Sequence, residues 1–373
     1  MSFILTELKK GPWLINAICP YFTMFPIEYP VSIFNQVDKG AIVLDPFCGR
    51  GTSLLAARMF GFSAYGIDNN PVAIAISESK LVDVSAKSIE NTLEKALNFE
   101  GAYSIPKDEF WKYAFEKSVL KDICRIRAYL FSHNSIAEKA LRGIILGALH
   151  GPKTKNIQTA SYFSNQMPRT FSSKPIYSVN YWKKNNLHPD KINIREVIKK
   201  RAHRFYAVRI PKVNKGIIFG SSITSTSYKK IPPVDMIITS PPYYGMRSYY
   251  SDQWLRNWFL GGPEFPKEMS KSELSTGKTI DFAVNLGKVW NNCANIAKDS
   301  AKMYIRFGSI PSYNTNPVEL IMESIQQSGN KWKLVKITDA GSASLGHRQA
   351  NQMASVNKSN PINEYDLELI KNA

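Results

Sequence analysis

Short apolar runs alternate with amphipathic stretches near the start of the chain. Residues 41–45 (AIVLD) form an apolar run that ends in an aspartate, and residues 63–68 (SAYGID) form a second one. Each run predicts a buried strand, and the helical pattern of residues 54–60 and 70–81 predicts a helix after each. The repeated order of strand, turn and helix is typical of a doubly wound parallel sheet.

The middle of the chain changes to a helical period. Apolar residues recur at helical spacing between Val119 and Leu130 and again between Leu141 and Ala148, and a third helix is predicted at 193–205. Residues 153–190 are rich in Ser, Asn, Pro, Lys and aromatic residues, and we interpret them as a loop. This segment therefore predicts a mainly helical insertion and no further sheet.

The strand pattern resumes in the last part of the chain. Strands are predicted at 215–220, 234–239 and 301–307, a helix at 283–297, and a closing hairpin-like pair at 332–338 and 364–369. The fold class predicted is therefore α/β, with a doubly wound, Rossmann-like sheet. Residues 1–84 and 214–373 would carry the sheet as a catalytic domain, and residues 85–213 would be inserted into it.

The basic residues are concentrated in this insertion. The 373 residues carry 48 Lys or Arg against 30 Asp or Glu, a net charge of +18, and residues 101–215 alone hold 23 basic and 7 acidic residues. A region so biased favours a polyanionic partner, and nucleic acid is the first expectation. The alternative is a basic face that only contacts solvent. With 44% hydrophobic residues, the composition excludes a largely disordered chain.

Cysteine and histidine spacing indicates no metal site. None of the four Cys forms a CxxC pair, and the five His show no HxxxH spacing. No apolar run approaches the roughly 18 residues of a membrane span, and no targeting segment is visible. We therefore expect a soluble, cytoplasmic protein of a reducing compartment, without a membrane partner.

A glycine-containing turn follows the first strand. In Asp45-Pro46-Phe47-Cys48-Gly49-Arg50-Gly51-Thr52, two glycines allow a close backbone approach and lead into a helix N-terminus, which offers free N–H groups. Leu54 stands where the dinucleotide fingerprint has its third glycine, and no P-loop lysine follows. Asp68, at the tip of the second strand, is placed to accept two ribose hydroxyls.

A second motif, Thr239-Ser240-Pro241-Pro242-Tyr243, follows a buried strand directly. Two consecutive prolines cannot continue a central strand, and they remove two N–H donors while leaving carbonyl acceptors. A hydroxyl, a proline carbonyl and an aromatic face together suit a planar ring that bears an amino group. The ring would stack on Tyr243, and its amino group would donate to Ser240 and to the Pro241 carbonyl.

Taken together, these motifs resemble those of the S-adenosylmethionine-dependent DNA amino-methyltransferases, which methylate cytosine at N4 or adenine at N6. DPFCGRGTS is similar to the family's glycine motif, GIDNNP to its acidic ribose motif, and TSPPY to its catalytic motif. Residues 21–26 are similar to its N-terminal cofactor-packing motif. The resemblance covers roughly residues 20–82 and 215–308. Ser221 stands where the family often carries an acidic residue near the adenine ring.

The resemblance implies a role for individual residues. It implies a methyltransferase sheet, S-adenosylmethionine as cofactor and no metal. Catalytic residues would be Ser240, Pro241, Pro242 and Tyr243. Cofactor-binding residues would be Phe25, Asp45, Pro46, Phe47, Cys48, Gly49, Gly51, Thr52, Asp68, Asn69 and Ser221. The composition of the segments, and not the resemblance, suggests the candidate DNA-binding residues Arg169, Lys199, Lys200, Arg204 and Arg247. The alternatives are internal packing for Arg169 and a plain loop for Arg247.

The serine before Pro-Pro favours cytosine N4 as the target, since adenine-type sites more often have Asp or Asn there. A flipped cytosine in double-stranded DNA is therefore the expected substrate, with adenine N6 as the alternative. Less favoured readings are an RNA amino-methyltransferase and a non-catalytic nucleic-acid-binding protein. Carbon-5 methylation is disfavoured because no Cys follows a Pro. A cognate restriction endonuclease and a place beside the nucleoid of a prokaryotic cell are further expectations.

Overall fold

The computed structural model describes most of the chain. The described residues are 11–21, 26–152, 154, 156–164, 172, 174–245, 251–266, 278–309, 315–342 and 363–372. By contact density the chain divides into two compact units. The helical unit comprises residues 1–21, 78–210 and 249–269, and the sheet unit comprises residues 22–77, 211–248 and 270–373.

The sheet unit is built on a seven-stranded sheet with strand order β3-β2-β1-β4-β5-β7-β6. Its strands are β1 (Ile42–Asp45), β2 (Ser63–Asp68), β3 (Lys215–Phe219), β4 (Val234–Thr239), β5 (Ala297–Gly308), β6 (Trp332–Ser342) and β7 (Asn363–Lys371). The first five pair in parallel, and β7 and β6 add an antiparallel pair at one side. The predicted α/β class and the closing hairpin are both confirmed.

Helices alternate with the parallel strands as the pattern predicts. In chain order, the helices of this unit are α1 (Glu28–Phe34), α2 (Thr52–Met59), α3 (Pro71–Leu81, whose last turn belongs to the helical unit), α11 (Thr279–Ile296) and α12 (Pro317–Gln327). The intervening ones are α4 (Ala86–Leu97), α5 (Glu109–Ala114), α6 (Lys117–Ser132), α7 (Ile136–Ala148), α8 (Pro175–Lys184), α9 (Ile194–Tyr206) and α10 (Trp254–Phe259), all in the helical unit.

The core of the sheet unit packs β5 against α11 and α12. Met303 and Ile305 of β5 are fully buried in one cluster with Trp290 of α11 and Ile321 of α12. The Trp290 indole N–H donates to Ser324 Oγ at 2.8 Å, so its polar atom is satisfied inside this core. Rigid packing below the sheet edge lets the loops above it hold a defined geometry.

The helical unit differs from the sequence-based expectation in one segment. Residues 153–190 do not form a continuous loop, because helix α8 lies within them. Pro175 begins the helix at its first turn, and Val179 and Trp182 are buried at helical spacing. The Ser, Asn, Pro and Lys content concealed this short apolar stripe. Helix α7 begins with a capping box, in which the Ser135 N–H donates to the Glu138 carboxylate at 2.9 Å.

The predicted domain boundaries at 84 and 214 stay a prediction, while the compact units divide the chain at residues 77/78 and 210/211. Residues 249–269 belong to the helical unit although they follow β4, because α10 packs its aromatic side chains there. Trp258 lies 4.3 Å from Trp111 between ring centroids, and Trp254 lies 4.8 Å from Phe110. Among the described residues, no helix is both long and apolar enough to cross a membrane.

Candidate active site

The carboxyl ends of four parallel strands carry the predicted site. Asp45 ends β1, Asp68 ends β2, Ser221 follows β3 and Ser240 follows β4. In the strand order, β2 and β3 lie on one side of β1, whereas β4 and β5 lie on the other. The order thus reverses between β1 and β4, and such a switch point opens a crevice where open α/β sheets bind ligands.

Asp45 joins the two sides of this switch point. Its carboxylate is buried and accepts hydrogen bonds from the Thr239 hydroxyl at 2.7 Å, from the Phe47 N–H at 3.0 Å, and from the Ser53 hydroxyl. Thr239 is the residue immediately before Ser240. One buried side chain therefore ties the glycine turn after β1, the start of α2 and the segment after β4 to each other.

The glycine turn is held tightly against α3. Gly49 and Gly51 both adopt positive φ, 50° and 72°, which favours residues without a Cβ. A Cβ on Gly51 would lie 2.7 Å from the Ser77 hydroxyl oxygen, and that hydroxyl donates to the Gly49 carbonyl at 2.8 Å. The backbone of the turn thus packs directly against α3 at Gly51, where a side chain would not fit.

Asp68 organises the same turn from the neighbouring strand. Its carboxylate accepts from the Gly49 N–H at 2.9 Å and from the Asn70 N–H at 2.8 Å, and the Asn69 N–H also donates to it. Burial raises the pKa of Asp68 from 3.8 to about 6, against the lowering effect of these hydrogen bonds. The side chain keeps part of its surface open, so it can accept further hydroxyl groups from a ligand.

The residues around the turn fit the cofactor that the resemblance implies. Thr52, at the start of α2, has a buried hydroxyl oxygen with no hydrogen-bond partner within the described part of the chain. The first N–H groups of α2 are not consumed by the helix itself. Phe47 packs its edge against Trp290 at 6.4 Å between centroids, and Ser221 accepts from the Ile223 N–H at 3.4 Å. N–H donors, the Asp68 carboxylate and the Phe47 ring therefore all lie close to the carboxyl ends of neighbouring parallel strands.

The segment after β4 presents the predicted catalytic residues. Pro241 is buried, whereas Ser240 and Tyr243 are half-buried. Within the described part of the chain, the Ser240 hydroxyl makes no hydrogen bond. The Tyr243 ring lies edge-on against Phe307, 5.3 Å between centroids, and its hydroxyl donates to Glu364 Oε1 at 2.7 Å.

Sequence reasoning missed three partners of these residues. Thr239 belongs to the second motif, but no sequence pattern indicates that its hydroxyl donates to Asp45. Ser77 lies on the same helical face of α3 that meets the turn, a position that only the packed structure identifies. Glu364 is separated from Tyr243 by 121 residues, so no local pattern connects them.

All four cysteines are buried. Burial raises the pKa of the Cys48 thiol well above its ordinary value, with Asp68 and Asp45 adding to the shift. Burial likewise raises the pKa of Cys124 and of Cys293 to about 12. These three are therefore neutral thiols at physiological pH, and the thiolate is the nucleophilic form. They are poor candidates for a covalent mechanism.

The predicted DNA-binding residues of α9 lie in the helical unit. Lys199, Lys200 and Arg204 are exposed. The Lys200 amino group donates to the Gln158 carbonyl at 2.8 Å, and the Arg204 guanidinium lies 5.5 Å from the Phe205 ring centroid. Phe25, Arg169 and Arg247 lie outside the described residues, so their roles stay predictions. Among the described residues, no cluster of His, Cys, Asp and Glu suits a metal ion.

The buried Asp45 predicts a pH-dependent stability. Burial raises its pKa from 3.8 to about 6, although the Ser53, Thr239 and Phe47 hydrogen bonds act in the opposite direction. The folded state thus binds the Asp45 proton more tightly than the unfolded state does. The contribution of this proton to the free energy of unfolding is therefore complete below about pH 4 and is lost as the pH rises to about 6. A shift of about two units corresponds to roughly 3 kcal/mol.

We expect Asp45→Asn to remove that dependence. Chemical denaturation between pH 4 and 7 would show the free energy of unfolding of the wild type falling relative to Asp45→Asn by about 3 kcal/mol. The exposed Asp38→Asn variant is the matched control and should run parallel to the wild type. Parallel curves for Asp45→Asn as well would contradict the buried, proton-binding carboxyl.

Comparison with known proteins adds a partial sequence likeness. No family model matches the chain. A segment of 116 residues is 31% identical to the Type II methyltransferase M.MjaII of Methanocaldococcus jannaschii and covers 30% of this chain and 22% of that protein. A longer match of 277 residues is 26% identical to the Type II methyltransferase M.MvaI of Kocuria varians and covers 61% of this chain and 56% of that protein.

The matched segments thus span about a fifth of the length of one of these relatives and just over half of the length of the other. Solved structures give weaker likenesses. An rRNA methyltransferase, AviRa, from Streptomyces viridochromogenes aligns with a TM-score of 0.35 at 10% identity over 95% of this chain and 87% of that chain. An S-adenosylmethionine-dependent methyltransferase from Methanosarcina mazei aligns with a TM-score of 0.33 at 9% identity. That alignment covers 93% of this chain and 98% of the other chain. At such TM-scores these likenesses carry no argument about function.

Proposed function

We propose that this protein is an S-adenosylmethionine-dependent DNA methyltransferase that acts on the exocyclic amino group of a base, with cytosine N4 as the target. The observation that carries the proposal is the buried Asp45–Thr239 hydrogen bond of 2.7 Å. It joins the glycine turn to the Ser-Pro-Pro-Tyr segment across the switch point of the sheet. The names of both curated relatives support methyl transfer.

The cofactor would be held by the turn and by Asp68. The Gly49–Thr52 backbone and the start of α2 suit the carboxylate of its methionine part, and Asp68 suits the ribose hydroxyls. Phe47 and Ser221 flank the same crevice and are the proposed contacts of its remaining parts. When bound, S-adenosylmethionine supplies a methyl group on a sulfonium, which is the electrophile of the reaction.

The segment after β4 would activate the amino group. That nitrogen is a poor nucleophile because its lone pair is delocalised into the ring. The Ser240 hydroxyl and the Pro241 carbonyl accept its two hydrogens and so favour a tetrahedral nitrogen with a free lone pair. Tyr243 stacks on the base, which must first leave the helix stack. Catalysis is then positioning and electrostatics, without an enzyme–base covalent bond.

Cysteine burial supports amino over carbon-5 methylation. Carbon-5 chemistry needs a thiolate nucleophile, and the pKa values of Cys48, Cys124 and Cys293 are all raised by burial. Between the two amino targets, the neutral Ser240 hydroxyl favours cytosine, since it can accept from the amino group and also donate to N3. Adenine N6 methylation is the second candidate, and an RNA substrate the third.

Double-stranded DNA is the proposed partner, and the basic helical unit its recognition surface. Binding through Lys199, Lys200 and Arg204 would release counterions from phosphates, so affinity should fall steeply as salt rises. We expect neutralising all three to Ala to reduce the logarithmic salt slope by about 3, roughly 1 per phosphate contact.

Fluorescence anisotropy with a duplex at several salt concentrations measures that slope. Lys39→Ala/Lys333→Ala, two exposed lysines of the sheet unit, is the matched control and should leave the slope unchanged. A slope that survives neutralisation of the α9 residues would show that this basic face does not contact DNA.

Transfer of a labelled methyl group tests the proposed activity. Purified protein with labelled S-adenosylmethionine should label double-stranded DNA and leave ribosomal or transfer RNA unlabelled. Labelled RNA with unlabelled DNA would replace the proposal by its RNA alternative. The proposed setting is the cytoplasm of a prokaryotic cell, beside the nucleoid, where a cognate restriction endonuclease would cut the same sequence when it is unmethylated.

A further inference from the structure

Glu364 of β7 reaches the catalytic segment. Its side chain is buried, with 5% of its surface exposed, and its Oε1 accepts the Tyr243 hydroxyl at 2.7 Å. β7 is the antiparallel strand beside β5, so this carboxylate comes from the part of the sheet that lies outside the parallel strands. Neither the proposed cofactor contacts nor the amino-group acceptors include it.

The register of β7 explains why Glu364 meets a tyrosine. Glu364, Asp366 and Glu368 alternate along one face of the strand. Asp366 binds the guanidinium of Arg306, its paired residue on β5, through both carboxylate oxygens at 2.7 and 2.6 Å. Glu368 binds the amino group of Lys302, which is also on β5, at 3.0 Å. The residue opposite Glu364 is Gly308, which has no side chain. The carboxylate therefore extends past β5 to Tyr243.

The Tyr243 ring is enclosed at this point. A Cβ on Gly308 would lie 3.2 Å from Tyr243 Cε2 and 3.2 Å from Glu364 Cγ, so only glycine leaves both in place without a shift. The edge-on contact with Phe307, at an interplanar angle of 75°, limits the ring from another side. With its hydroxyl bound to Glu364, the ring is restrained at its base and at its tip.

We propose that Glu364 is a positioning residue that fixes the plane of Tyr243 for stacking with the target base. The inference rests on the proposed function, in which Tyr243 is the stacking platform. A hydroxyl that donates to a carboxylate forms a stronger hydrogen bond than one between neutral groups. It also draws electron density toward the ring, which favours a base that gains positive charge as the methyl group arrives.

The test is a double-mutant cycle between Glu364→Ala and Tyr243→Phe, read by steady-state methyl transfer. Each single variant should lower kcat by about tenfold, the effect of one charged hydrogen bond, with the KM for S-adenosylmethionine unchanged. The double variant should lose no more than either single one, because both remove the same contact. Glu364→Gln keeps an acceptor and should recover most of the activity.

Glu368→Gln, on the same face of β7, is the matched control and should keep the wild-type kcat. Multiplicative losses in the double variant, or a Glu364→Ala enzyme with wild-type kcat and only a lower Tm, would overturn the proposal. The same cycle read by Tm separates the two inferences. If the wild type transfers no methyl group to DNA, the proposed function fails, whatever the Tm values are. Non-additive Tm values would establish the contact between Glu364 and Tyr243, and additive Tm values would refute that contact and with it the positioning role.

Discussion

Asp68→Ala is expected to lower the affinity for S-adenosylmethionine by at least about a hundredfold. The carboxylate accepts from the Gly49 and Asn70 N–H groups at 2.9 and 2.8 Å, and the residue is only half-buried, so ligand hydroxyls can reach it. Losing two hydrogen bonds from a ligand to a charged acceptor costs on the order of 3 kcal/mol or more, which corresponds to that change in Kd. Isothermal titration calorimetry measures it directly.

Two controls make this result specific to the ribose contact. Circular dichroism and Tm should show that Asp68→Ala remains folded, and the exposed Asp38→Ala should bind like the wild type. Because burial raises the pKa of Asp68 to about 6, wild-type affinity should also decline as pH falls below about 6. Wild-type affinity in folded Asp68→Ala would remove Asp68 from the cofactor site.

Ser240→Ala is expected to reduce kcat by about a hundredfold while DNA affinity changes little. Its hydroxyl would accept a hydrogen of the amino group, and that interaction strengthens only as the nitrogen becomes tetrahedral. Removing one preorganised group that acts in the transition state typically costs 10²–10³ in kcat. The comparison of kcat with the Kd for DNA separates this role from binding.

The matched control is Ser32→Ala, whose hydroxyl is exposed and donates to the Tyr29 carbonyl within α1. It should keep the wild-type kcat. Equal losses of kcat and of DNA affinity in Ser240→Ala would instead indicate that the serine contacts the base in the ground state. An unchanged kcat would exclude it as an amino-group acceptor.

The parallel part of the fold was predictable because each strand carries its own signal. The runs ending at Asp45, Asp68 and Thr239 are apolar, short and followed by turn residues, so strand and turn are specified locally. Parallel pairing then brings their carboxyl ends to one edge, which makes the candidate site a consequence of the topology. The end of β4 before the Ser-Pro-Pro-Tyr segment was equally predictable, because prolines cannot continue a central strand.

Other features depend on contacts between distant residues and carry no local signal. The Asp45–Thr239 bond joins residues 194 positions apart, and Glu364 meets Tyr243 only because Gly308 leaves its cross-strand position empty. Helix α8 was hidden because its composition is typical of loops, and only the burial of Val179 and Trp182 shows its apolar side. Tertiary packing decided each of these cases.

Mass spectrometry of nucleosides from methylated DNA tests the central proposal most directly. DNA incubated with the protein and S-adenosylmethionine would be digested to nucleosides and compared with DNA treated with the Ser240→Ala variant. The account predicts N4-methylcytosine in the wild-type sample alone. N6-methyladenine without N4-methylcytosine would contradict the assignment of cytosine, and 5-methylcytosine or the absence of any methylated base would contradict amino-group transfer to DNA altogether.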